Sequence, residues 1–379
     1  MSKFFSRKKK ELNLSFKKGI INLTACIIFI IIILSFSENI CLFASAIAMP
    51  EGAFKLFYDN ISPTNNNKET IKINQNKILS YIDPSSFQKA TQTVNLSDKS
   101  FNITPLQLDE SDFGGKIINE TFASSGNEPK YIKINKGYIK NTTNFSLDEI
   151  KTEIKNPIDF KTNSTSDQPQ VLIFHTHATE SFDLYDCGNN KKGSNSRSTD
   201  NSINMVKVGD AICEQLDAAG IKYIHDTNQY DHPSYNGAYK RSNASVTDYL
   251  SKYPSIKIVL DIHRDGIYAN DNDWIKPVTE IQGKKAAQLM IITGGDDGSL
   301  NNPDWRYNLR FAAALQDQIE SDYPTLTRPI LFAYRNYNQQ VSHGAVLIEI
   351  GSHGNFLGEV VYTGQLLGKS LSTLIKKLA

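Results

Sequence analysis

The stretch VLIFHTHATE, residues 171–180, indicates the fold class of this chain. Its first four residues form a continuous apolar run, which is the pattern of a strand buried on both faces. Similar apolar runs recur downstream and alternate with segments of helical spacing. The predicted strands are 171–174, 221–224, 256–260, 289–292, 330–332 and 345–350, and the predicted helices are about 200–219, 242–252, 305–323 and 356–377. This alternation predicts an α/β fold with a mostly parallel central sheet flanked by helices.

Side chains able to bind metal or move protons lie near the ends of three predicted strands. His175, His177 and Glu180 follow the first strand. His263 follows the third strand, and Glu349 lies within the last. Because functional residues of such sheets gather at the carboxyl ends of the strands, we expect these side chains to meet at one edge.

The residue types favour a zinc hydrolase. Such enzymes often hold zinc with two His and one carboxylate and leave a fourth position for water. His177 and Glu180 have His-x-x-Glu spacing, and His263 supplies the third ligand from another strand. Glu349 is an ionisable group in an apolar strand. Burying such a group costs free energy unless it is paired or belongs to a functional site. We predict that Glu349 moves the proton between water and the leaving nitrogen.

Some of these assignments have alternatives. Residues two apart on an extended chain point the same way, so His175 or His177 could be the first ligand. The spacing to Glu180 favours His177, and His175 would then support the ligand or stabilise the transition state. Asp200 is the reserve carboxylate ligand. Arg264, which adjoins the third ligand, is a predicted contact of the substrate at the catalytic centre.

The N-terminal part of the chain has a different pattern. Residues 1–19 are strongly basic and precede an apolar run at 20–37, which predicts a cytoplasmic tail and a transmembrane anchor. Small residues at 44–48 leave a cleaved signal peptide as the alternative. Residues 48–167 are rich in Asn, Lys, Ser and Thr and predict an extracytoplasmic spacer or small irregular module. The catalytic domain is predicted at 168–379. The formal net charge of +1 gives no electrostatic case for nucleic-acid binding.

Six motifs in order resemble the stage II sporulation protein P family; they lie at 172–181, 225–237, 259–265, 287–290, 326–330 and 347–351. The resemblance implies a zinc-dependent cell-wall hydrolase with the fold of muramoyl-L-alanine amidases, which is related to that of zinc carboxypeptidases. Such proteins cleave the amide between N-acetylmuramic acid and L-alanine in peptidoglycan and are also described as endopeptidases. They act during forespore engulfment with sporulation proteins D and M. The implied location is the mother-cell membrane, with the catalytic domain facing the septum.

The chain departs from the family pattern at one position near the site. Where that pattern has Glu-x-Gly-Ser followed by Asn, this chain has His353 after the Ser, an extra His whose role is open. Two other functions remain as alternatives. A zinc carboxypeptidase or endopeptidase of wall peptides would need a cationic pocket, for which Arg264, Arg310 and Arg335 are candidates. A non-catalytic wall-binding scaffold would have lost a metal or catalytic position.

Overall fold

A computed structural model describes residues 113–123, 130–184, 186, 188–193 and 196–379. The strands in this part of the chain are β1 (Phe113–Glu120), β2 (Tyr131–Lys133), β3 (Tyr138–Asn141), β4 (Val171–Phe174), β5 (Asn189–Lys191), β6 (Tyr223–His225), β7 (Ile258–Asp265), β8 (Trp274–Ile281), β9 (Lys284–Ala287), β10 (Leu289–Gly295), β11 (Ile330–Tyr334) and β12 (Gly344–Ser352). The helices are α1 (Leu147–Glu153), α2 (Met205–Ala218), α3 (Ala238–Lys252), α4 (Trp305–Asp322) and α5 (Leu357–Lys377), with a 3-10 helix at Gln339–Val341.

The main sheet has eight strands in the order β2-β3-β11-β10-β12-β7-β4-β6. The α/β class is confirmed, but the prediction of a mostly parallel sheet is wrong, because the sheet is mixed. The pairs β2–β3 and β10–β12 are antiparallel. The link from β11 to β12 holds only a 3-10 helix, and so short a connection suits a reversal of direction better than a parallel crossover. The apolar pattern of a buried strand does not encode its direction.

A second sheet, in the order β5-β1-β8-β9, was not predicted. Its strand β8 carries Lys276, which has no exposed surface. The Lys276 Nζ lies 2.8 Å from Asp186 Oδ2 and 3.1 Å from Glu359 Oε1. A buried lysine needs such partners, and local sequence does not reveal them.

Helices cover both faces of the main sheet. One large apolar cluster joins α2, α4 and α5 to the sheet and includes Ile173, Leu260 and Ile348. A smaller cluster on the other face joins Val246 of α3 to Leu172. Because successive strand residues alternate between faces, Asp261, His263 and Glu349 lie on the α3 face.

The register of three neighbouring strands brings the predicted site together. Strands β12, β7 and β4 are adjacent and parallel, so their carboxyl ends reach the same edge. Glu349 pairs in register with His263 on the neighbouring strand. Phe174, the last residue of β4, pairs with Asp261.

Residues before 168 also contribute to the sheets. Strands β2 and β3, at 131–141, extend the main sheet, because β3 pairs with β11. These strands come from the segment predicted to be a spacer or small module. The described residues from 113 onward therefore belong to one compact unit.

The predicted tail, the anchor at 20–37 and the possible cleavage site at 44–48 lie outside the described residues. Within the residues that the structure describes, no helix is long and apolar enough to cross a membrane.

Candidate metal centre and active site

Three predicted ligands converge at the edge formed by β4 and β7. One donor atom from each of His177, Glu180 and His263 lies within 4.8 Å of the others. His177 Nδ1 is 3.6 Å from Glu180 Oε1, and His263 Nδ1 is 3.7 Å from Glu180 Oε2. All three residues are buried. Two imidazoles and a carboxylate in this arrangement match the common donor set of a zinc site.

The local chain path explains why His177 and Glu180 meet. Strand β4 ends at Phe174, and the chain then turns, with the Glu180 backbone N–H donating to the His177 carbonyl at 3.1 Å. This turn brings side chains three residues apart to the same side. His263 approaches from β7, the next strand in the sheet.

Asp261 orients the His263 ring from the side away from the cluster. The Asp261 Oδ1 lies 2.8 Å from His263 Nε2, which leaves Nδ1 directed at Glu180. Thr176 fixes the same carboxylate, because its backbone N–H donates to Oδ1 at 2.8 Å and its hydroxyl to Oδ2 at 2.7 Å. A carboxylate behind a histidine is the usual support of a metal ligand. Burial would lower the pKa of His263, but Asp261 and Glu180 raise it to about 10.

Positive groups surround the Glu180 carboxylate. The Arg264 backbone N–H donates to Glu180 Oε2 at 3.2 Å, and Arg197 Nη2 lies 3.4 Å from Oε1. Burial alone would raise the pKa of Glu180. Its contact with His177 and the charges of His263 and Arg264 instead lower that pKa to about 2, so the carboxylate is ionised at neutral pH.

Glu349 lies beside this cluster and does not belong to it. Its Oε2 is inaccessible and has no hydrogen-bond partner among the described residues. Burial, partly offset by the charge of His263 and reinforced by Glu180, raises the pKa of Glu349 to about 8. A carboxyl group with such a pKa exchanges its proton near neutral pH, which is what a general acid–base group requires.

His175 does not join the ligand cluster. It is fully buried, with Nδ1 3.0 Å from the Ile262 carbonyl oxygen and Nε2 3.0 Å from His225 Nε2. The strand ends one residue earlier, so the expectation that His175 and His177 point the same way is wrong. Burial and the adjacent His225 hold the pKa of His175 well below its ordinary value, which keeps the ring neutral. Its predicted supporting or catalytic role stays a prediction.

The remaining candidates are placed as follows. Asp200 is exposed and accepts hydrogen bonds from the Ser202 backbone and hydroxyl, outside the cluster. The Arg264 side chain is buried against the Ser196 carbonyl oxygen, to which Nη2 donates at 2.6 Å. Of the other two cationic candidates, Arg310 is bound to Glu153 at 2.5 Å and Arg335 is exposed.

Aromatic side chains from the α3 region cover the cluster. Tyr235 stacks on His177 with ring centroids 4.6 Å apart, and the Tyr239 ring lies parallel to His263 at 6.4 Å. Tyr235 is 56% exposed, whereas burial raises the pKa of Tyr239 far above its ordinary value. An amphipathic aromatic wall at the mouth of a polar site suits binding of an extended substrate.

Sequence reasoning missed two supporting residues, Asp261 and Arg197. Asp261 lies two positions before His263, and the period of a strand places both on one face, so a signal for it existed. Arg197 comes from the loop between β5 and α2, and its contact with Glu180 depends on tertiary structure. Together the cluster, its supports and Glu349 form a site that can hold a metal ion and transfer a proton.

Comparison with known proteins identifies one family. The family model "Stage II sporulation protein P (SpoIIP)" matches residues 67–372. The stage II sporulation protein P of Bacillus subtilis (strain 168) is 27% identical over 210 residues, which are 52% of this chain and 49% of that protein. The chain thus aligns with about half the length of this curated relative.

Solved structures of amidases show a distant likeness. The N-acetylmuramoyl-L-alanine amidase from Clostridium difficile 630 is 15% identical, with a TM-score of 0.32 over 55% of this chain and 96% of that one. The amidase AmiC2 of Nostoc punctiforme is 10% identical, with a TM-score of 0.34 over 57% and 97%. The CwlD amidase from Clostridioides difficile, in complex with the GerS lipoprotein, is 9% identical, with a TM-score of 0.32 over 54% and 99%.

Proposed function

This chain belongs to the stage II sporulation protein P family, and from that premise we propose that it is a zinc-dependent peptidoglycan hydrolase of sporulation. The bond it cleaves is the amide between N-acetylmuramic acid and the L-alanine of the stem peptide. The observation that carries the proposal is the meeting of three donor groups, His177, Glu180 and His263, within 4.8 Å. The Glu349 Oε2, which has no hydrogen-bond partner among the described residues, supports it.

The donor set fits zinc. His177 and His263 each direct Nδ1 at the Glu180 carboxylate, and Asp261 holds the second nitrogen of His263. Metal binding requires an ionised carboxylate, which the low pKa of Glu180 provides. It also requires neutral imidazoles, so zinc would displace the proton that His263, with its pKa of about 10, holds in the metal-free site. Zinc at these residues would supply Lewis acidity, which polarises the amide carbonyl and makes water more acidic.

Side chains of the protein transfer the proton and hold the substrate. Glu349 accepts a proton from the water that attacks the carbonyl carbon, and it donates that proton to the L-alanine nitrogen as the C–N bond breaks. The products are a carboxylic acid on the sugar and a free amine on the peptide. The high pKa of Glu349 suits this exchange. Tyr235 and Tyr239 form the wall on which the substrate rests.

Endopeptidase activity on peptide cross-links is the second candidate, because a peptide bond is also an amide and the same proton transfer would cleave it. Anchoring in the mother-cell membrane by residues 20–37, and action together with sporulation proteins D and M, are further parts of the proposal. They follow from the family and from the N-terminal sequence.

The test is digestion of purified peptidoglycan by the full-length protein, with products identified by mass spectrometry. The proposal predicts free stem peptides and intact glycan strands, lost with a chelator and restored by zinc. Glu349→Gln should lower the rate roughly 10²- to 10⁴-fold, the range of one general acid–base group. Glu280→Gln, at an exposed position of β8, should leave the rate within about twofold, as for an ordinary surface substitution.

Other outcomes would change the assignment. Uncross-linked muropeptides that keep the muramoyl amide would identify an endopeptidase. A digestion rate unaffected by chelation or by Glu349→Gln would overturn the proposed mechanism. No products with zinc present, even after addition of the two partner proteins, would favour a wall-binding scaffold.

A further inference from the structure

The loop between β7 and β8 presents an exposed aromatic side chain a few residues beyond His263. Tyr268 is 61% exposed. Its ring lies over His353, with centroids 4.5 Å apart, and His353 in turn meets the Trp274 ring edge to face at 4.2 Å. His353 and Trp274 are buried. An exposed ring thus rests on the buried His353 ring, which is itself packed against the buried Trp274 ring.

Backbone hydrogen bonds hold this loop in place. The Ile275 N–H donates to the Ile267 carbonyl at 2.9 Å, and the Ala269 N–H donates to the Asp273 carbonyl at 2.9 Å. Tyr268 lies between these two backbone hydrogen bonds and forms an isolated antiparallel β-bridge with Trp274. A large apolar ring that is exposed on a rigid backbone loses little conformational entropy when it binds a ligand.

The two ring nitrogens of His353 are buried polar groups. Neither ring nitrogen has a hydrogen-bond partner within the described part of the chain, although the residue is only 4% exposed. Burial, followed by the charge of Arg264, lowers the pKa of His353 to about 4, so the ring is neutral. A buried polar group without a partner is unfavourable and is more often found at functional sites.

The platform of Tyr268, His353 and Trp274 adjoins the proposed active site. The His353 backbone N–H donates to the Asp265 carbonyl at 3.1 Å, and Asp265 lies two residues beyond His263 on β7. Arg264 lies between them and donates its backbone N–H to Glu180. A ligand on Tyr268 would therefore extend from the cluster along the same edge of the sheet.

The surroundings of Tyr268 select the kind of ligand. The Asn270 amide is used within the loop, where it bonds the Asp273 carboxylate and the backbone N–H groups of Asn272 and Asp273. The exposed Asp271 and Asn272 beside it offer a carboxylate and an amide group. A pyranose ring presents C–H groups on one face and hydroxyl or amide groups around its rim. The C–H face suits the negative face of an aromatic ring, and the rim suits these polar side chains. Nearby carboxylates disfavour an acidic stem peptide at the same place.

We propose that Tyr268, supported by His353 and Trp274, forms a subsite that stacks on a sugar ring of the glycan strand next to the scissile amide. The subsite rests on the proposed function, because it assigns the place where the glycan part of that substrate binds. Tyr268 is then a specificity-determining residue that separates glycan-linked peptides from free peptides.

The test measures binding without turnover, using full-length protein that carries Glu349→Gln. The ligands are a disaccharide-tetrapeptide, an N-acetylglucosamine tetramer and the free tetrapeptide. Calorimetry measures the binding of each one. Tyr268→Ala should weaken binding of both sugar ligands about tenfold or more, the scale of one aromatic stacking contact. Binding of the free peptide should stay within about twofold, because no contact with it is lost. Tyr268→Phe keeps the ring and should retain sugar binding within about threefold.

Two outcomes would overturn the subsite. One is sugar binding by Tyr268→Ala within twofold of its parent. The other is an equal loss for the sugar ligands and the free peptide, which would point to a general distortion of the site. Circular dichroism and the urea midpoint verify that the variants are folded.

The digestion assay and the binding assay together distinguish failure of the subsite from failure of the proposed hydrolase activity. If peptidoglycan digestion fails but Tyr268→Ala still weakens sugar binding and leaves peptide binding unchanged, the subsite stands and the hydrolase falls. If digestion succeeds and Tyr268→Ala binds all ligands normally, only the subsite falls.

Discussion

At the scale of single residues, Asp261 decides which nitrogen of His263 is available. Its carboxylate is fixed by Thr176 and lies 2.8 Å from Nε2, so Nδ1 is left for a metal. Without this anion the ring could rotate or carry its proton on the other nitrogen. In the proposed zinc site, the position of one ligand would therefore depend on a residue that does not contact the metal.

Asp261→Asn should weaken zinc binding roughly 10- to 100-fold, as loss of a carboxylate behind a histidine ligand does elsewhere. The amide keeps an acceptor for Thr176, so the fold should survive. Competition with a fluorescent chelator measures the zinc affinity. The matched control is Asp210→Asn, because Asp210 contacts His225 outside the cluster. Equal affinities for the two variants would contradict the role of Asp261.

His353 should make the folded protein sensitive to acid. The histidine pKa is about 6.5 in the unfolded chain, and burial together with the Arg264 charge lowers it to about 4 in the folded one. The unfolded state therefore binds more protons, and stability falls as pH drops from 6.5 toward 4. We expect His353→Phe, which keeps a ring on the platform, to lose less stability over this window than the parent.

Urea unfolding at pH 7 and pH 4.5 gives the comparison. For each protein, the relevant quantity is the free energy of unfolding at pH 7 minus that at pH 4.5. Other groups titrate equally in both proteins, so only the change in this quantity reports on His353. The same loss of stability in His353→Phe and in the parent would show that this histidine does not contribute.

At the scale of elements, the helix pair α2–α5 covers the sheet beneath the site at unusually close range. A Cβ added at Gly364 would lie 2.9 Å from the Val208 carbonyl oxygen and 3.2 Å from the Ala211 Cβ. A Cβ at Gly368 would lie 2.8 Å from the Ile212 carbonyl oxygen. The two glycines let the helix backbones approach each other.

Gly364→Ala should lower the free energy of unfolding by about 1–3 kcal/mol, the range for overpacking. In an isolated helix the same change would stabilise by about 1 kcal/mol, so the sign of the effect tests the close contact. Denaturant unfolding measures it. Lys369→Ala, at an exposed position of the same helix, should stay within about 0.5 kcal/mol of the parent. A more stable Gly364→Ala would refute the packing argument.

The sequence predicted the elements of the site better than their surroundings. Continuous apolar runs identified β4, β7 and β12, and the rule for strand ends then placed His177, His263 and Glu349 together. The orientation of His175 was missed because it depends on β4 ending at Phe174. Strand β8 was missed because its buried Lys276 is paired with Asp186 and Glu359, far away in sequence. Tertiary partners decide such details, and a local pattern does not contain them.

At the scale of the whole molecule, segments distant in sequence build one unit around the site. The first described residues contribute β1 to the small sheet and β2–β3 to the main sheet. The predicted ligands come from β7 and from the turn after β4, and the platform comes from the junction of the two sheets. Metal binding therefore links parts of the chain that unfolding would separate.

Zinc should stabilise the full protein by binding only its folded state. At a free concentration 100 times the dissociation constant the gain is about 2.7 kcal/mol, so the thermal midpoint should rise with added zinc. His263→Ala should abolish this rise. His343→Ala, which removes a histidine paired with Asp159 outside the cluster, should keep it. An equal rise in both variants would mean that zinc stabilises the protein through another site.

The most direct test is a crystal structure of the zinc-loaded protein with anomalous scattering recorded at the zinc edge. The proposed activity and the role of Glu349 both depend on where the ion lies. We predict one strong peak within bonding distance of His177 Nδ1, His263 Nδ1 and the Glu180 carboxylate, with Glu349 beside it and not bound to it. A peak elsewhere, or none at these residues in zinc-saturated crystals, would contradict the metal centre and the hydrolase built on it.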